Sequence, residues 1–286
     1  EVDFYLATES TVTFREPAEP YRVPLSSSSF INEAFYPAAH NHKIWDVITV
    51  THNGKNKRMR DFILAVRKLY DRGKKYRILL LNKKSAREPG KNFDNGAIDL
   101  YYELFSTTEQ QNFVMMRLSD DMSFLGMPSQ TVADFMRLSK VFALFSEQEG
   151  EPRVVAEALI CGLPVVAYRH IKAGGSIDHL TDDNSVRFAD YPAAAAALEE
   201  AVEHHDRFRV DAQGLAEKLR EDYTIETFKD YLAPLYEREG QVFDRRIEHG
   251  KLLANAVNAH LVDVPWGRGR LAAADVLSRE QFGVFF

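Results

Sequence analysis

The sequence predicts an α/β protein built on a doubly wound parallel sheet, with a helical C-terminal extension. Three observations predict it. From Trp45 onward, short apolar runs rich in Val, Ile and Leu alternate with amphipathic segments. Glycine and proline mark the ends of these segments, as Gly162 and Pro164 do. The chain has 286 residues, of which 45% are apolar and 27% charged, so it has enough apolar surface for a full core.

Strands and helices are predicted in order along the chain. The first strand covers residues 46–51, and an amphipathic helix follows over Met59–Asp71, with its apolar residues on one side. A second strand covers residues 76–81, and residues 83–98, rich in Lys, Asn and Gly, are predicted as a long loop. The later elements are a helix over 101–118, a strand over 122–125, a helix over 131–138, a strand over 141–145, a helix over 152–161, a strand over 164–168, and helices over 193–204 and 210–221.

Residues 146–167, SEQEGEPRVVAEALICGLPVVA, carry the most information about function. Pro152 suits the first turn of a helix because its missing N–H would be unpaired there. Gly162 is the expected left-handed stop of that helix, with Pro164 just beyond it. The amides of residues 153–155 would then face the end of the sheet. A helix N-terminus offers N–H donors and partial positive charge to an anion such as a diphosphate.

Glu157 is the one residue of this helix that its surroundings do not explain. Its neighbours make the helix apolar on nearly all sides, and a carboxylate in such a helix needs a partner. One interpretation is an ion pair with Arg153, four residues earlier on the same face. The other is that Glu157 accepts hydrogen bonds from a polyhydroxy ligand.

The same segment resembles the signature of retaining glycosyltransferases with two Rossmann-like domains. This is the GT-B family of glycogen-synthase-like and sucrose-synthase-like enzymes, the glycosyl transferases group 1. In that family a strand ending in Ser precedes Glu-Gly-Phe-Gly/Pro, then Glu-Ala and Gly-x-Pro-Val-Val-Ala. The matching positions here are Ser146, Glu149, Gly150, Pro152, Glu157, Ala158, Gly162, Pro164, Val165, Val166 and Ala167. Glu151 stands where the family usually has Phe, which places an additional carboxylate beside the donor site.

The resemblance implies roles for these residues. Glu149 would hold hydroxyls of the donor sugar as a catalytic residue, and Glu157 would hold the ribose hydroxyls of the nucleotide. The backbone that follows Gly150 is implied to bind the donor sugar and phosphates, through Glu151, Pro152, Arg153, Val154 and Val155.

The first strand-to-helix turn extends the resemblance. Family members carry Gly-Arg and, five residues after that Arg, Lys-Gly, with both cations on the donor diphosphate. Aligning the helices that follow places Lys57 on the lysine, Arg58 on the glycine and His52, next to Asn53, on the arginine. Lys57 is thereby implied as a catalytic cation that stabilises the departing nucleoside diphosphate. The alternative for Lys57 is an ordinary exposed lysine at a helix start. The alternative for His52 is an ordinary histidine at a strand end.

Two further turns are similar to donor-binding loops of the family. The turn with Gly126 and Met127 resembles the loop near the base, and Gly174-Gly175 resembles the Gly-Gly turn after the next strand. Both patterns also fit ordinary turns. No His, Cys or carboxylate set has metal-ligand spacing, and the resemblance implies a metal-independent enzyme with no cofactor besides its donor substrate.

The resemblance divides the chain into three parts. Residues 1–40 resemble the last strand and the linker of an acceptor-binding domain, which in the family is of comparable size. Residues 41–224 would form the Rossmann-like donor-binding domain. Residues 225–286 would contain a crossover helix over 225–238, a second helix over 242–261 and an extension. We expect either a fragment or a natural half-enzyme whose acceptor domain is a separate polypeptide.

The composition limits which cellular compartment and which binding partners we expect. The single cysteine, Cys161, permits no internal disulfide and fits a reducing compartment. No apolar run reaches the roughly 20 residues of a membrane span, and no signal-peptide pattern opens the sequence, so we expect a cytoplasmic protein. A net charge of −6 argues against nucleic-acid binding. Arg245, Arg246 and Lys251 would suit peripheral membrane contact, with packing on the body as the alternative.

The resemblance therefore implies a retaining, hexosyltransferase-like enzyme. It would transfer a sugar from a UDP- or GDP-type nucleoside diphosphate sugar to an acceptor hydroxyl, in glycan, polysaccharide or glycoconjugate synthesis. The rival prediction is a noncatalytic nucleotide-sugar-binding module or regulatory subunit. A phosphosugar epimerase on the same scaffold fits the spacing of Glu149 and Glu157 less well. A dinucleotide-binding fingerprint is absent from the sequence.

Overall fold

One six-stranded sheet forms the centre of the molecule. The computed structural model describes residues 5–6, 22–25, 27–37, 42–83, 94, 96–117 and 127–246. A short parallel pair comes first, β1 (Tyr5–Leu6) beside β2 (Arg22–Val23). The sheet itself contains β3 (Trp45–His52), β4 (Ile78–Lys83), β5 (Phe113–Arg117), β6 (Ser139–Leu144), β7 (Val165–Tyr168) and β8 (Ser185–Phe188).

The strand order confirms the predicted doubly wound fold. The order is β5-β4-β3-β6-β7-β8, and every neighbouring pair is parallel. The chain starts at the centre with β3, winds outward to β5, returns to β6 and winds outward on the other side. Such a reversal opens a crevice at the carboxyl ends of the two central strands, here β3 and β6.

Helices cover both faces of the sheet. They are α1 (Met59–Asp71), α2 (Gly96–Leu104), α3 (Thr107–Gln110), α4 (Ser129–Arg137), α5 (Arg153–Ile160), α6 (Ala194–Glu203), α7 (Ala212–Leu219) and α8 (Glu221–Arg238). One buried apolar cluster joins the sheet to α1, α2 and α6, and another joins it to α4, α5 and α7. Successive strand residues alternate between them, as Val47 and Ile48 do, because side chains of a strand point to opposite faces.

A third apolar cluster lies apart from the other two. It joins residues 22–30 to the last helix, through Val23, Leu25, Phe30, Phe228, Leu232 and Leu235. The rings of Phe30 and Phe228 meet edge to face, with centroids 5.8 Å apart. Within the described ranges no helix, α8 included, is both long and apolar enough to cross a membrane. The predicted division into three domains stays a prediction.

The predicted helix over 101–118 is wrong. α2 begins earlier, at Gly96, and ends at Leu104, and a capping box at Ser106 then starts α3. The Ser106 hydroxyl accepts a hydrogen bond from the Glu109 N–H, while the Glu109 carboxylate accepts one from the Ser106 N–H. After α3 the chain forms β5, whose aromatic and β-branched start, Phe113-Val114, pairs with β4.

Other predicted boundaries also shift. The predicted helix over 210–221 is divided, because α7 ends at Leu219 and α8 begins at Glu221. Strand β8 was not predicted. The predicted loop over 83–98 is wrong at both ends, where β4 and α2 extend into it. Residues 242–246 contain no helix, so the predicted helix over 242–261 is wrong at its start. The rest of that helix, Lys251 and the predicted strand over 122–125 lie outside the described residues.

Replacing Phe113 tests the strand that the sequence did not predict. Its ring is fully buried and contacts Phe62, Tyr101 and Phe105 edge to face. We expect Phe113→Ala to lower the free energy of unfolding by about 3–5 kcal/mol, through lost burial and a cavity. Met116→Ala, on the exposed part of the same strand, should cost less than about 0.5 kcal/mol. Urea denaturation measures both. Similar losses would indicate a helix, in which the two residues share one face.

Candidate active site

The loops that follow β3 and β6 are joined at the central crevice. The Glu147 N–H donates to the Asn56 carbonyl at 2.8 Å, and the Asn56 side-chain amide donates to the Gln148 carbonyl at 2.9 Å. Between the two strand ends lies a small cavity, lined by Thr49, Val50, Thr51, Lys57, Met59, Phe62, Leu144, Phe145 and Ser146. The junction brings the two predicted catalytic residues to the same point.

Lys57 and Glu149 form an ion pair across this crevice. The Lys57 Nζ donates to the Glu149 Oε1 at 2.5 Å, and the side chains are only 18% and 11% exposed. A charge-assisted hydrogen bond in such a partly buried setting is stronger than one between fully exposed groups. The ammonium has further N–H donors and the carboxylate has a second oxygen. Each member of the pair therefore has capacity left for a ligand.

The backbone conformation of Arg58 supports the alignment that matches Lys57 to the lysine of the family. Its φ is +53°, the left-handed region that favours glycine, and glycine is the family residue at this position. Side-chain contacts accompany the strained backbone. The guanidinium pairs with Asp61 at 2.9 Å, lies 3.7 Å from Glu147 and stacks 4.3 Å from the centre of the Tyr191 ring. The resemblance therefore matches the backbone conformation, although the side chain differs.

The segment after β7 supports Glu149 from the other side. The Glu149 N–H donates to the Lys172 carbonyl at 2.9 Å, and the Lys172 N–H donates to the Glu147 carbonyl at 3.0 Å. These bonds form a short parallel bridge between the two loops. The backbone that carries Glu149 is thus fixed by the loops on both sides of it.

Gly174 and Gly175 lie behind the signature loop. Both are buried, the Gly174 N–H donates to the Gly150 carbonyl at 3.0 Å, and Gly175 has a φ of +65°. Next to them the Ser176 hydroxyl donates to the Pro152 carbonyl at 2.6 Å. In the described structure the two glycines shape the loop that carries Glu149, Gly150 and Glu151 through close backbone contact.

Only one of the three predicted amides at the start of α5 is available. The Arg153 N–H donates to the Glu151 carbonyl and the Val155 N–H donates to the Pro152 carbonyl, both at 2.8 Å. The expectation that all three amides are free is therefore wrong, because the turn at Pro152 bonds two of them internally. The Val154 N–H has no acceptor in the described part of the chain and remains the donor at this helix end.

Glu157 is partly buried on α5. The Arg153 guanidinium donates to the Phe30 carbonyl at 2.9 Å, and no side-chain hydrogen bond joins it to Glu157 in the part of the chain that is described. The proposed intrahelical ion pair is therefore not formed. Burial raises the pKa of Glu157 to about 7, and the charge of Arg153 only partly opposes this rise. A carboxylate in this state suits a ligand that brings its own hydrogen-bond donors.

The remaining predicted residues have different positions. The His52 Nδ1 accepts a hydrogen bond from the Gly54 N–H at 2.9 Å, so that ring nitrogen is already engaged within the turn. Asn53 is buried, and its carbonyl accepts from the Asp94 N–H at 2.8 Å. Met127 is partly buried, just before α4. Gly126 lies outside the described residues.

Sequence reasoning missed Asn56 and Ser176, which both bind the backbone of the signature loop. Each had a local signal. Asn56 lies in a Lys-Asn-Lys turn, and Asn is a frequent turn residue. Ser176 directly follows the paired glycines. Across the described residues, no group of three His, Cys, Asp or Glu side chains is placed to hold a metal ion.

The sequence matches the profile of a protein family described as "Glycosyl transferases group 1". The match covers residues 47–204, which is more than half of the chain and includes the whole crevice. No curated protein matches the sequence significantly.

Several solved structures have the same fold at low sequence identity. A pneumococcal O-GlcNAc transferase, GtfA, in complex with UDP and GlcNAc has a TM-score of 0.59 at 14% identity, covering 82% of this chain and 45% of that one. The G117R mutant of TarM from S. aureus, in complex with Fondaparinux, alpha-GlcNAc-glycerol and UDP, has a TM-score of 0.54 at 15% identity, covering 75% of this chain and 39% of that one. Sucrose-phosphate synthase from Thermosynechococcus elongatus has a TM-score of 0.53 at 15% identity, covering 71% and 50%. The chain thus spans at most half of each of these three chains.

The pKa of Glu157 predicts how stability depends on pH. The folded protein holds the proton up to about pH 7, whereas the free carboxyl releases it near pH 4.5. This contribution to stability is therefore complete below pH 4.5 and is lost as the pH rises through 7. Glu157→Gln resembles the protonated form at every pH. We expect it to be more stable than the wild type by about 2–3 kcal/mol at pH 8. Most of this difference in the free energy of unfolding between Glu157→Gln and the wild type should disappear at pH 5.

Urea denaturation at the two pH values measures this difference. Glu103→Gln, an exposed substitution on α2, is the matched control and should change stability equally at both. A pH-independent effect of Glu157→Gln would contradict the assignment of the raised pKa to this carboxyl.

Proposed function

The chain belongs to the glycosyl transferases group 1 family, and we propose that it forms the donor-binding part of a retaining glycosyltransferase. Its sheet is of the Rossmann-like kind found in GT-B glycosyltransferases. The proposed donor is a nucleoside diphosphate sugar, and the proposed acceptor is a hydroxyl held by another domain or a separate polypeptide. The observation that supports this most is the Lys57–Glu149 pair at the point where the strand order reverses.

In this proposal Lys57 and the start of α5 receive the diphosphate. The Lys57 ammonium supplies a point charge, and the Val154 N–H with the α5 dipole supplies a second positive region. These groups stabilise the negative charge that grows on the diphosphate as it leaves, so the site works without a metal ion. Bound diphosphate would compete with Glu149 for Lys57. The Glu149 carboxylate would then turn its oxygens to hydroxyls of the donor sugar.

Glu157 is proposed to hold the ribose. Hydrogen bonds from ribose hydroxyls favour the ionised carboxylate and would lower its raised pKa. Donor binding near pH 7 would therefore release a proton. In the transfer step the bond between the anomeric carbon and the phosphate oxygen breaks, and the acceptor oxygen forms a bond to that carbon. The acceptor proton passes to the departing phosphate, and the anomeric configuration is retained.

A noncatalytic nucleotide-sugar-binding module is the second candidate. One observation favours it. His52 stands where the family carries a diphosphate-binding arginine, and its Nδ1 is engaged by Gly54. Such a site would hold the nucleotide through Glu157, Lys57 and Val154 but stabilise the leaving group less. The single cysteine supports a reducing, cytoplasmic compartment for either function.

Calorimetric titration of the chain with UDP, GDP and ADP tests the donor site. We expect one of them to bind selectively, with binding weakened about tenfold or more by Lys57→Ala because a charge-assisted contact is lost. Lys55→Ala removes an exposed lysine of the same turn and is the matched control. Titrations in two buffers of different ionisation enthalpy report the proton released by Glu157. Absence of binding, or equal effects of the two lysine variants, would contradict the assignment.

Glu149→Ala in the complete enzyme separates the two candidate functions. We expect sugar transfer to fall by at least about a hundredfold, because the residue that orients the donor sugar is lost. The free energy of unfolding should change little. Glu147→Ala removes a more exposed carboxylate two residues earlier and should retain most activity. Wild-type turnover by Glu149→Ala would overturn the proposed role, and a wild-type protein that binds nucleotide without transfer would favour the noncatalytic module.

A further inference from the structure

Four basic side chains gather at the carboxyl ends of β7 and β8. Arg169, His170 and Lys172 follow β7 and are exposed, and Arg187 lies on β8, partly buried and in contact with Arg169. We call these four residues the basic strip. They lie on the same edge of the sheet as the crevice with Lys57 and Glu149, because the carboxyl ends of parallel strands meet at one edge.

In the described ranges, the side chains of the two arginines of the basic strip bond only to backbone carbonyls. The Arg169 Nη2 donates to the Arg187 carbonyl at 3.3 Å. The Arg187 Nη2 donates to the carbonyls of Tyr168 and Arg169 at 3.3 and 3.2 Å. Among the described residues, no carboxylate pairs with any member of the strip. Many other cations have such partners, including Arg67, Arg72, Arg207, Arg220 and Arg245.

This arrangement leaves positive charge uncompensated. Burial and the neighbouring Arg169 both lower the pKa of Arg187, which indicates that its charged form is disfavoured where it lies. Its Nε is buried and has no acceptor in the described chain. A partly buried guanidinium beside a like charge is costly unless an anion compensates it. A bound anion would therefore stabilise this edge of the sheet.

The basic strip is next to the crevice. The Lys172 backbone bonds to both Glu147 and Glu149, and three residues of extended chain span at most about 11 Å from Arg169 to Lys172. The diphosphate of the donor is already provided for by Lys57 and the start of α5. An anion on the strip would accordingly belong to a second molecule that approaches the donor sugar.

We propose that the basic strip binds an anionic group, a carboxylate or a phosphate, carried by the acceptor saccharide. This rests on the proposed function and names the acceptor class, an acidic saccharide. A saccharide is favoured over a nucleic acid because the chain carries a net charge of −6 and the strip is short. Arg169 and Arg187 would contact the anionic group, while Lys172 would attract it to the side of Glu149.

Calorimetric titration of the full chain with tetragalacturonate and with trehalose 6-phosphate tests this proposal. Binding of tetragalacturonate would identify a carboxylate as the preferred group, and binding of trehalose 6-phosphate would identify a phosphate. Maltotetraose, which is uncharged, is the control and should not bind. We expect Lys172→Glu to weaken binding at least tenfold. Lys218→Glu makes the same charge change at an exposed position on α7 and should bind like the wild type. Arg169→Ala, also exposed, provides a second variant, and thermal unfolding verifies that each variant is folded.

Each contrary outcome overturns the proposal. Equal affinities for Lys172→Glu and Lys218→Glu would show that the strip is not the site. Displacement of the saccharide by UDP would place the anion in the donor diphosphate site. Binding of vesicles containing phosphatidylglycerol, without binding of either acidic saccharide, would assign the strip to a membrane surface. If the chain binds UDP but neither acidic saccharide, the assignment of the basic strip is wrong and the donor site stands. If it binds an acidic saccharide but no nucleotide, the donor site is wrong and the assignment of the strip stands.

Discussion

The site depends on one backbone junction, the pair of hydrogen bonds between Asn56 and residues 147–148. Lys57 and Glu149 belong to loops that leave β3 and β6 toward opposite faces of the sheet. The reversal of strand order that creates the crevice directs these loops apart, and the junction holds them together beside the Lys57–Glu149 pair. Both bonds end on main-chain atoms of the second loop. The distance between the charges is therefore set by the fold and by one asparagine.

Unfavourable local features collect at the carboxyl edge of this sheet. Arg58 has a left-handed backbone, Glu157 is a carboxylate partly buried in an apolar helix, and Arg187 has no counter-charge among the described residues. The body of the domain, by contrast, follows simple alternation of apolar residues between two clusters. Departures from local rules are expected where function outweighs stability. Arg58 directly follows Lys57, and Glu157 and Arg187 are themselves residues to which we assign a ligand.

Sequence reasoning was most successful where a pattern was local. The left-handed stop at Gly162 and the bounds of α1 follow from helix periodicity and terminal signals. β5 was missed because FVMMRL lacks the strict alternation of apolar and polar residues that indicates a half-buried strand. At the site, the resemblance indicated Lys57 and Glu149, and the fold brings these two residues together. The internal hydrogen bonds of the Arg153 and Val155 amides were not predictable, because they depend on the geometry of the turn at Pro152. The bond from Arg153 to Phe30 was not predictable either, because Phe30 is distant in sequence.

The third apolar cluster has a consequence for synthesis of the protein on the ribosome. Phe30 packs against Phe228, and Ile31 bonds to both Leu219 and Glu221. The ribosome has to synthesise the whole chain between residues 31 and 228 before these partners can meet. At usual translation speeds this takes on the order of ten seconds or more. Throughout that interval the apolar side chains of Val23, Leu25 and Phe30 have no α8 to cover them. The apolar surface of this early segment is therefore covered only when the last described helix has been synthesised.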